Sequence, residues 1–326
     1  MREETTMAAK TIAALAGAAA MLAALAVGAS AEERIAYKSA KSGTSYYQMG
    51  VELANAVKAG TDGEAILTVE ESQGSVQNVM EAAVRPGNYV FTAPPGLVAS
   101  AAAGKGPFEK RPNPRFAEIR ALFPIPSLTM HFVLAGKAEA QDLSALAGKT
   151  ILLGKGSFGA TEGEKYLELF ALKDKVTVAD AELGNAADAL KNGQIDGFVT
   201  AGSFPAPNVI EAAASGEVTL LSMSDDEVAK TGRTPQVIPA GTYAGVETDT
   251  VTTSLPVFAF AAGQMSEETA YLLTRTFWEE KEALSGESRW WKAVDPQLLE
   301  AGEVKLHPGA LRYYREAGVS LPDALQ

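Results

Sequence analysis

Arg34-Ile35-Ala36-Tyr37-Lys38, then Ser42-Gly43-Thr44-Ser45-Tyr46-Tyr47, then Met49, Leu53, Ala56 and Val57 at helical spacing: this stretch decides the fold. A short apolar strand runs into a turn of glycine and small hydroxyl residues, and the turn opens an amphipathic helix over Tyr46–Lys58. Two further turns repeat the design. Gln73-Gly74-Ser75-Val76-Gln77-Asn78 follows the strand Ala65–Val69, and Gly154-Lys155-Gly156-Ser157-Phe158-Gly159-Ala160-Thr161 follows the strand Thr150–Leu153. Helix N-termini carry unpaired N–H groups and a partial positive charge, so they suit anions. Three such turns in one chain point to a cleft for a small anion or zwitterion, although Ser, Thr and Gly are also favoured there as plain caps and turns.

Outward from these turns, short β runs alternate with longer helical ones, which predicts an α/β protein with largely parallel sheets. One block holds the strands Arg34–Lys38, Ala65–Val69 and Asn88–Thr92, the last closed by Pro94-Pro95, followed by a surface loop over Gly104–Pro114. A second block begins with the apolar strand Leu128–Leu134. It continues through a short helix over Asp142–Lys149, the strand Thr150–Leu153, a helix over Thr161–Leu172, and the strands Lys175–Val178 and Ile195–Thr200. Helices over Ala186–Lys191 and Ala206–Ala214 belong to the same block. Thr253–Ala261 is a late apolar strand, Ser266 caps a long helix, and Leu311–Ala317 is a last one. Two blocks of the same order predict two lobes, 32–127 plus 255–326 and 128–254, joined by crossing strands at Leu128–Leu134 and Thr253–Ala261.

The first residues read as an export signal. Lys10 precedes an apolar run from Ile12 to Val27, shorter than the ~20 residues of a spanning helix, and Ala29-Ser30-Ala31 has the small-x-small pattern of a cleavage site. Met7 is an alternative start, and no twin-arginine pair is present. Sec export with cleavage after Ala31 is expected, giving residues 1–31 as signal peptide and an unanchored, periplasmic protein from Glu32. The chain holds 28 Lys and Arg against 40 Asp and Glu, a formal net charge of −12, which disfavours nucleic acid and anionic membranes. It has no cysteine, so disulfides, thiolate metal sites and cysteine nucleophiles are excluded together.

Enzymatic signatures are missing. The two histidines, His131 in an apolar strand and His307 at a turn, read as structural, and there is no G-x-S-x-G elbow. Gly154-x-Gly156-x-x-Gly159 has dinucleotide-fingerprint spacing, with Asp174 or Asp180 as the distal acid, but a lone match is weak evidence. No cofactor, no metal and no catalytic residue is expected. Binding chemistry is what remains. Tyr46 and Tyr47 can wall a pocket, Ser75 and Asn78 share the first turn of a helix, and Lys41 or Lys155 can neutralise an acid.

Several motifs, in order, resemble one family. Ser42–Gly50 resembles its Gly-Thr-x-Tyr-Tyr-x-x-Gly pattern, and Gly74-Ser75-Val76-Gln77-Asn78 its Gly-Ser-Val-x-Asn motif. Asp142-Leu143 with Ala147-Gly148-Lys149, Asp196-Gly197-Phe198 with Pro205, and Ile238-Pro239-Ala240-Gly241-Thr242-Tyr243 match later steps. The most specific block is His307-Pro308-Gly309-Ala310 through Tyr313-Tyr314-Arg315-Glu316. The chain is thereby similar to the TAXI subfamily of solute-binding proteins for TRAP (tripartite ATP-independent periplasmic) transporters. The resemblance implies a two-lobed periplasmic binding fold, type II-like, that closes by a hinge on a small carboxylate or amino acid. It implies delivery to an ion-gradient-driven TRAP permease by a monomeric protein. Residue by residue it implies ligand contacts at Gly43, Thr44, Ser45, Tyr46, Tyr47, Gly74, Ser75 and Asn78.

Two departures stand out. Where the third family turn reads Gly-Ser-Gly-Thr, this chain has Ser157-Phe158-Gly159-Ala160, so either Ser157 or Thr161 can supply the hydroxyl beside Gly159. The third strand ends Phe91-Thr92-Ala93-Pro94-Pro95, leaving Thr92 as the polar candidate on that wall. A binding protein of an ABC importer shares the fold and is the nearest alternative. A periplasmic ligand-sensing module and a cofactor-dependent enzyme are the others.

Overall fold

The computed structural model describes residues 32–155 and 157–326; the expected signal peptide and Gly156 lie outside them. Residues 34–326 form one unit. Its first strand, β1 (Glu33–Lys38), leads into α1 (Ser45–Gly60), β2 (Ala65–Glu70), α2 (Ser75–Ala82), β3 (Tyr89–Ala93) and α3 (Pro95–Ala102). The long strand β4 (Arg120–Ala135) then carries the chain into β5 (Thr150–Leu152), α4 (Phe158–Leu169), β6 (Thr177–Ala179), α5 (Ala186–Lys191) and β7 (Gly197–Gly202). After α6 (Pro207–Ser215), β8 (Val218–Leu220), α7 (Asp225–Thr231) and β9 (Thr234–Ile238), the strand β10 (Thr250–Ala261) returns. Helices α8 (Glu267–Glu279), α9 (Lys281–Glu287) and α10 (Pro308–Glu316) follow.

Among the described residues the strands form one sheet, in the order β2-β1-β3-β10-β4-β7-β5-β6, with β8 on β4 and β9 on β10. Parallel pairs (β1 with β3, β5 with β6 and β7) lie in the two halves. The antiparallel pair β4 and β10 joins them. Each joining strand serves both halves. The second half of β10, from Phe258, pairs with β3, while its first half pairs with β9; β4 pairs with β7 from Thr129 on. The seam between the halves is therefore bordered by two continuous strands.

β3 is buried along its whole length, as expected of a strand covered on both faces. Phe91 stacks on Phe260 at 5.7 Å, and Phe123 of β4 stacks on Phe277 of α8 at 4.1 Å, tying the C-terminal helices to the first half. Buried Glu52 of α1 accepts hydrogen bonds from the indoles of Trp290 and Trp291, at 3.1 and 2.7 Å, and from Ser288 at 2.6 Å.

Several elements differ from the sequence expectation. β4 begins at Arg120, eight residues before Leu128, because its Pro124 and Pro126 sit within a ladder with an irregular register near Pro256. Proline is tolerated where a strand N–H is not called on. Pro94-Pro95 does not merely close β3: Pro95 occupies the first turn of α3, where a missing N–H costs nothing. The Gly104–Pro114 segment buries Phe108, which meets Phe116 edge-on at 5.4 Å. The expected helix over Asp142–Lys149 is a single 3-10 turn, Leu143–Leu146. α4 starts at Phe158 rather than Thr161, because Ser157 is its cap.

Candidate functional site

Three helix starts meet at one cavity of about 60 Å³ between the two halves of the sheet. That is several times the roughly 10–15 Å³ one water needs. α1 contributes Thr44 and Tyr46, α2 contributes Gly74 and Ser75, and α4 contributes Ser157, Phe158 and Gly159. Thr92 at the end of β3 lines the same space, with Leu128, Leu183, Ala201 and Val257 as apolar walls.

Each start is built by its own residues. Thr44 Oγ1 accepts from the Tyr47 amide at 3.4 Å and donates to the Lys41 carbonyl at 2.6 Å, so its hydroxyl is engaged. Ser157 Oγ accepts from the Ala160 amide at 2.9 Å and keeps its proton to donate. Gly74 caps α2 with no side chain at all, at φ 122° and ψ −167°, a conformation essentially confined to glycine. A Cβ there would lie 3.1 Å from the Phe158 nitrogen, so glycine is what lets the starts of α2 and α4 touch.

The first two amides of each helix have no acceptor among the described residues: Ser45 and Tyr46, Ser75 and Val76, Phe158 and Gly159. Ser75 is itself 9 % exposed, and its hydroxyl has no partner among the described residues. Two hydroxyls beside the cavity are satisfied internally. Tyr46 is buried, its hydroxyl donates to the Pro126 carbonyl at 2.9 Å, and burial raises its pKa. Tyr37 and Thr92 share a hydrogen bond of 2.8 Å, with burial pushing the Tyr37 hydroxyl up to about 12.

Among the described residues no Asp or Glu lines the cavity, and the one cation there, Lys41, forms an ion pair with Glu182 across the two halves. Lys155 pairs with Asp180 at 2.8 Å out in solvent. Both lysines that the sequence offers as neutralising groups are therefore already matched to carboxylates.

Of the twelve residues expected at the site, Thr44, Tyr46, Gly74, Ser75, Thr92, Ser157 and Gly159 line the cavity. The other five do not. Gly43 makes the turn, at φ 80°, and Tyr47 is half-buried beside it. Ser45 is buried against Gly202 of β7, where a Cβ would meet its Oγ at 2.6 Å. Asn78 is fully buried, and its side-chain amide donates to the carbonyls of Ser39 and Thr92 at 2.8 and 2.9 Å, tying the end of β1 to β3. Thr161 faces a separate cavity of about 490 Å³. Between the two hydroxyl candidates of the third turn, Ser157 is the one at the smaller cavity. Leu128, Leu183, Ala201 and Val257 carry no motif; only their place beside the crossing strands and the third turn marks them.

The histidines are structural. His131 Nδ1 faces the Thr129 carbonyl at 3.1 Å and its Nε2 meets the Tyr243 hydroxyl at 2.8 Å, while burial pushes its pKa down to about 4. His307 caps α10 by accepting from the Gly309 amide at 3.3 Å.

Solved structures share this architecture. MatC from Rhodopseudomonas palustris, with bound malate, is 14% identical, with 88% of this chain and 96% of that chain covered at a TM-score of 0.55. The periplasmic binding protein BugD is 13% identical, with 89% and 99% covered at 0.51. At such identities the likeness speaks to fold, and the fold is the two-lobed α/β fold of periplasmic binding proteins. The model of the NMT1-like family matches residues 38–318, from the end of β1 through α10 and including all three helix starts, and the chain belongs to that family.

Proposed function

We propose that this protein is a periplasmic solute-binding protein that captures a small carboxylate between its lobes. The observation that carries this reading is the meeting of three helix starts, with their unpaired amides and the Ser75 hydroxyl, on one mostly apolar cavity. Each helix end carries roughly half a positive charge, so three together offset about one to one and a half negative charges. With Lys41 committed to Glu182, that balance suits one carboxylate rather than two. With no acid in the lining among the described residues, a ligand ammonium would be buried without a counter-charge. The ligand class favoured is a monocarboxylate whose apolar body rests on Leu128, Leu183, Ala201 and Val257. Its carboxylate accepts from Ser75, Ser157 and the free amides.

The rest of the reading draws on the sequence as well as on this placement. The chain is exported by cleavage after Ala31, and its lobes are 32–127 with 255–326 and 128–254. Binding favours the closed arrangement, because a ligand that touches α1, α2 and α4 bridges both lobes. The motifs of the TAXI subfamily favour a TRAP permease as the membrane partner. Neighbouring genes test this: a large multi-span permease supports it, and an ATPase or a histidine kinase would assign the chain to an ABC importer or a sensor.

The binding reading is tested by a thermal-shift screen of monocarboxylates, dicarboxylates and amino acids, followed by calorimetry of Ser75→Ala. Loss of a hydrogen bond to a charged group costs about 1.5–3 kcal/mol, or roughly 10- to 150-fold in affinity. Unchanged affinity in Ser75→Ala would move the site elsewhere.

A further inference from the structure

Phe158 stands where two cavities meet. It lines the cavity of about 60 Å³ at the helix starts, and it also lines the cavity of about 490 Å³ on the far side of the same contact. The larger space is lined by apolar Val76, Leu97 and Leu255 and by charged Glu162, Arg233 and Glu303. Arg233 and Lys165 are both ion-paired to buried Glu162, at 2.7 and 2.5 Å, so both cations that line this space are already matched.

The position of Phe158 is held by the backbone. It is the first residue of α4, directly after the capped Ser157, and it is half-buried against the main core. Its nitrogen and Cβ lie within 3.1 and 3.7 Å of where a Gly74 side chain would begin. The backbone at Phe158 therefore cannot retreat without parting the starts of α2 and α4. Among the described residues Phe158 alone borders both the small cavity and the large one, while Val76 borders the large one.

We infer that Phe158 is the partition that limits ligand length, and that it confines this protein to short-chain monocarboxylates. The inference rests on the binding reading above and adds a specificity determinant to it. A ligand whose carboxylate sits at the helix starts has its tail directed at apolar walls, and Phe158 ends the space available to that tail. Removing the ring joins the two cavities and lets a longer tail run over Val76, Leu97 and Leu255.

The test uses the full mature chain and straight-chain monocarboxylates from acetate to decanoate, titrated by calorimetry against wild type, Phe158→Ala and Phe158→Leu. Each methylene buried is worth about fourfold in affinity. Wild-type affinity should rise over the first few members and then fall. The optimum in Phe158→Ala should move two or more carbons longer, with roughly a 10-fold or greater gain for the longer acids. Phe158→Leu retains apolar bulk for the core and should shift the optimum by a smaller step, which keeps the test decisive if the alanine variant folds poorly. A wild type that already gains affinity steadily to decanoate overturns the partition and leaves the binding reading intact. An unmoved optimum in the folded variants does the same. A wild type that binds none of the series overturns both.

Discussion

Replacing Gly74 by alanine separates strain in the fold from strain in closure. At φ 122° and ψ −167° the backbone of Gly74 lies where side chains are essentially excluded, a cost of about 1–3 kcal/mol for alanine. Its new Cβ would also stand 3.1 Å from the Phe158 nitrogen, a backbone atom in the other half of the sheet's architecture that can yield only by moving the start of α4. The first penalty acts in any arrangement of the lobes; the second acts only when they are together. Gly63 provides the control, since it has φ 83° and a Cβ there meets nothing within 4 Å. Gly63→Ala should lose about 1–2 kcal/mol of stability and keep wild-type affinity. Gly74→Ala should lose about 1–3 kcal/mol, on the order of 2–10 °C in Tm for a chain of this size. It should also bind more weakly, by about tenfold for each 1.4 kcal/mol of strain confined to the closed form. Denaturant unfolding and calorimetry with the tightest wild-type ligand measure the two effects. Wild-type affinity in Gly74→Ala would refute the claim that the contact between the α2 and α4 starts belongs to the bound state.

Other consequences concern the scaffold. His131 has a pKa of about 4 when folded and about 6.5 when unfolded, so between those pH values only the unfolded chain takes up its proton. Stability should fall as pH drops through that window, by up to about 3 kcal/mol, and level off below it; in His131→Gln the acid loss measured by urea unfolding should shrink. Part of the slope should remain, because burial lowers the His307 pKa as well. Asn78→Ala removes hydrogen bonds to the Ser39 and Thr92 carbonyls, and to that of Lys38 at 3.4 Å, and should cost about 2–4 kcal/mol in denaturant unfolding. A fully stable Asn78→Ala that binds poorly would return Asn78 to the ligand.

The alternation of strand and helix was legible because its signals are local. The strand at Arg34, the glycine turn before Tyr46 and the Ser266 cap each lie within a few residues of the element they announce. The full length of β4 was not, since Pro124 and Pro126 read as breaks until β10 is placed beside them with its own irregularity at Pro256. At the site, the helix starts were visible as Gly-Ser and Gly-Thr steps. The pairing of Lys41 with Glu182 spans 141 residues and has no sequence signature, yet it removes the cation a reader would assign to the ligand. Asn78 shares a first turn with Ser75, but helical geometry alone does not say that its amide faces inward to two strands. Phe158 shows only as a departure from a motif; its place between two cavities needs the fold.

The most direct test of the account is a crystal structure with the tightest-binding monocarboxylate from the screen. The account predicts its carboxylate about 3 Å from Ser75 Oγ and from the amides at the starts of α2 and α4, with its tail against Leu128 and Val257 and ending at Phe158. Ligand density confined to the cavity between Thr161 and Glu303, with the helix starts empty, would contradict it.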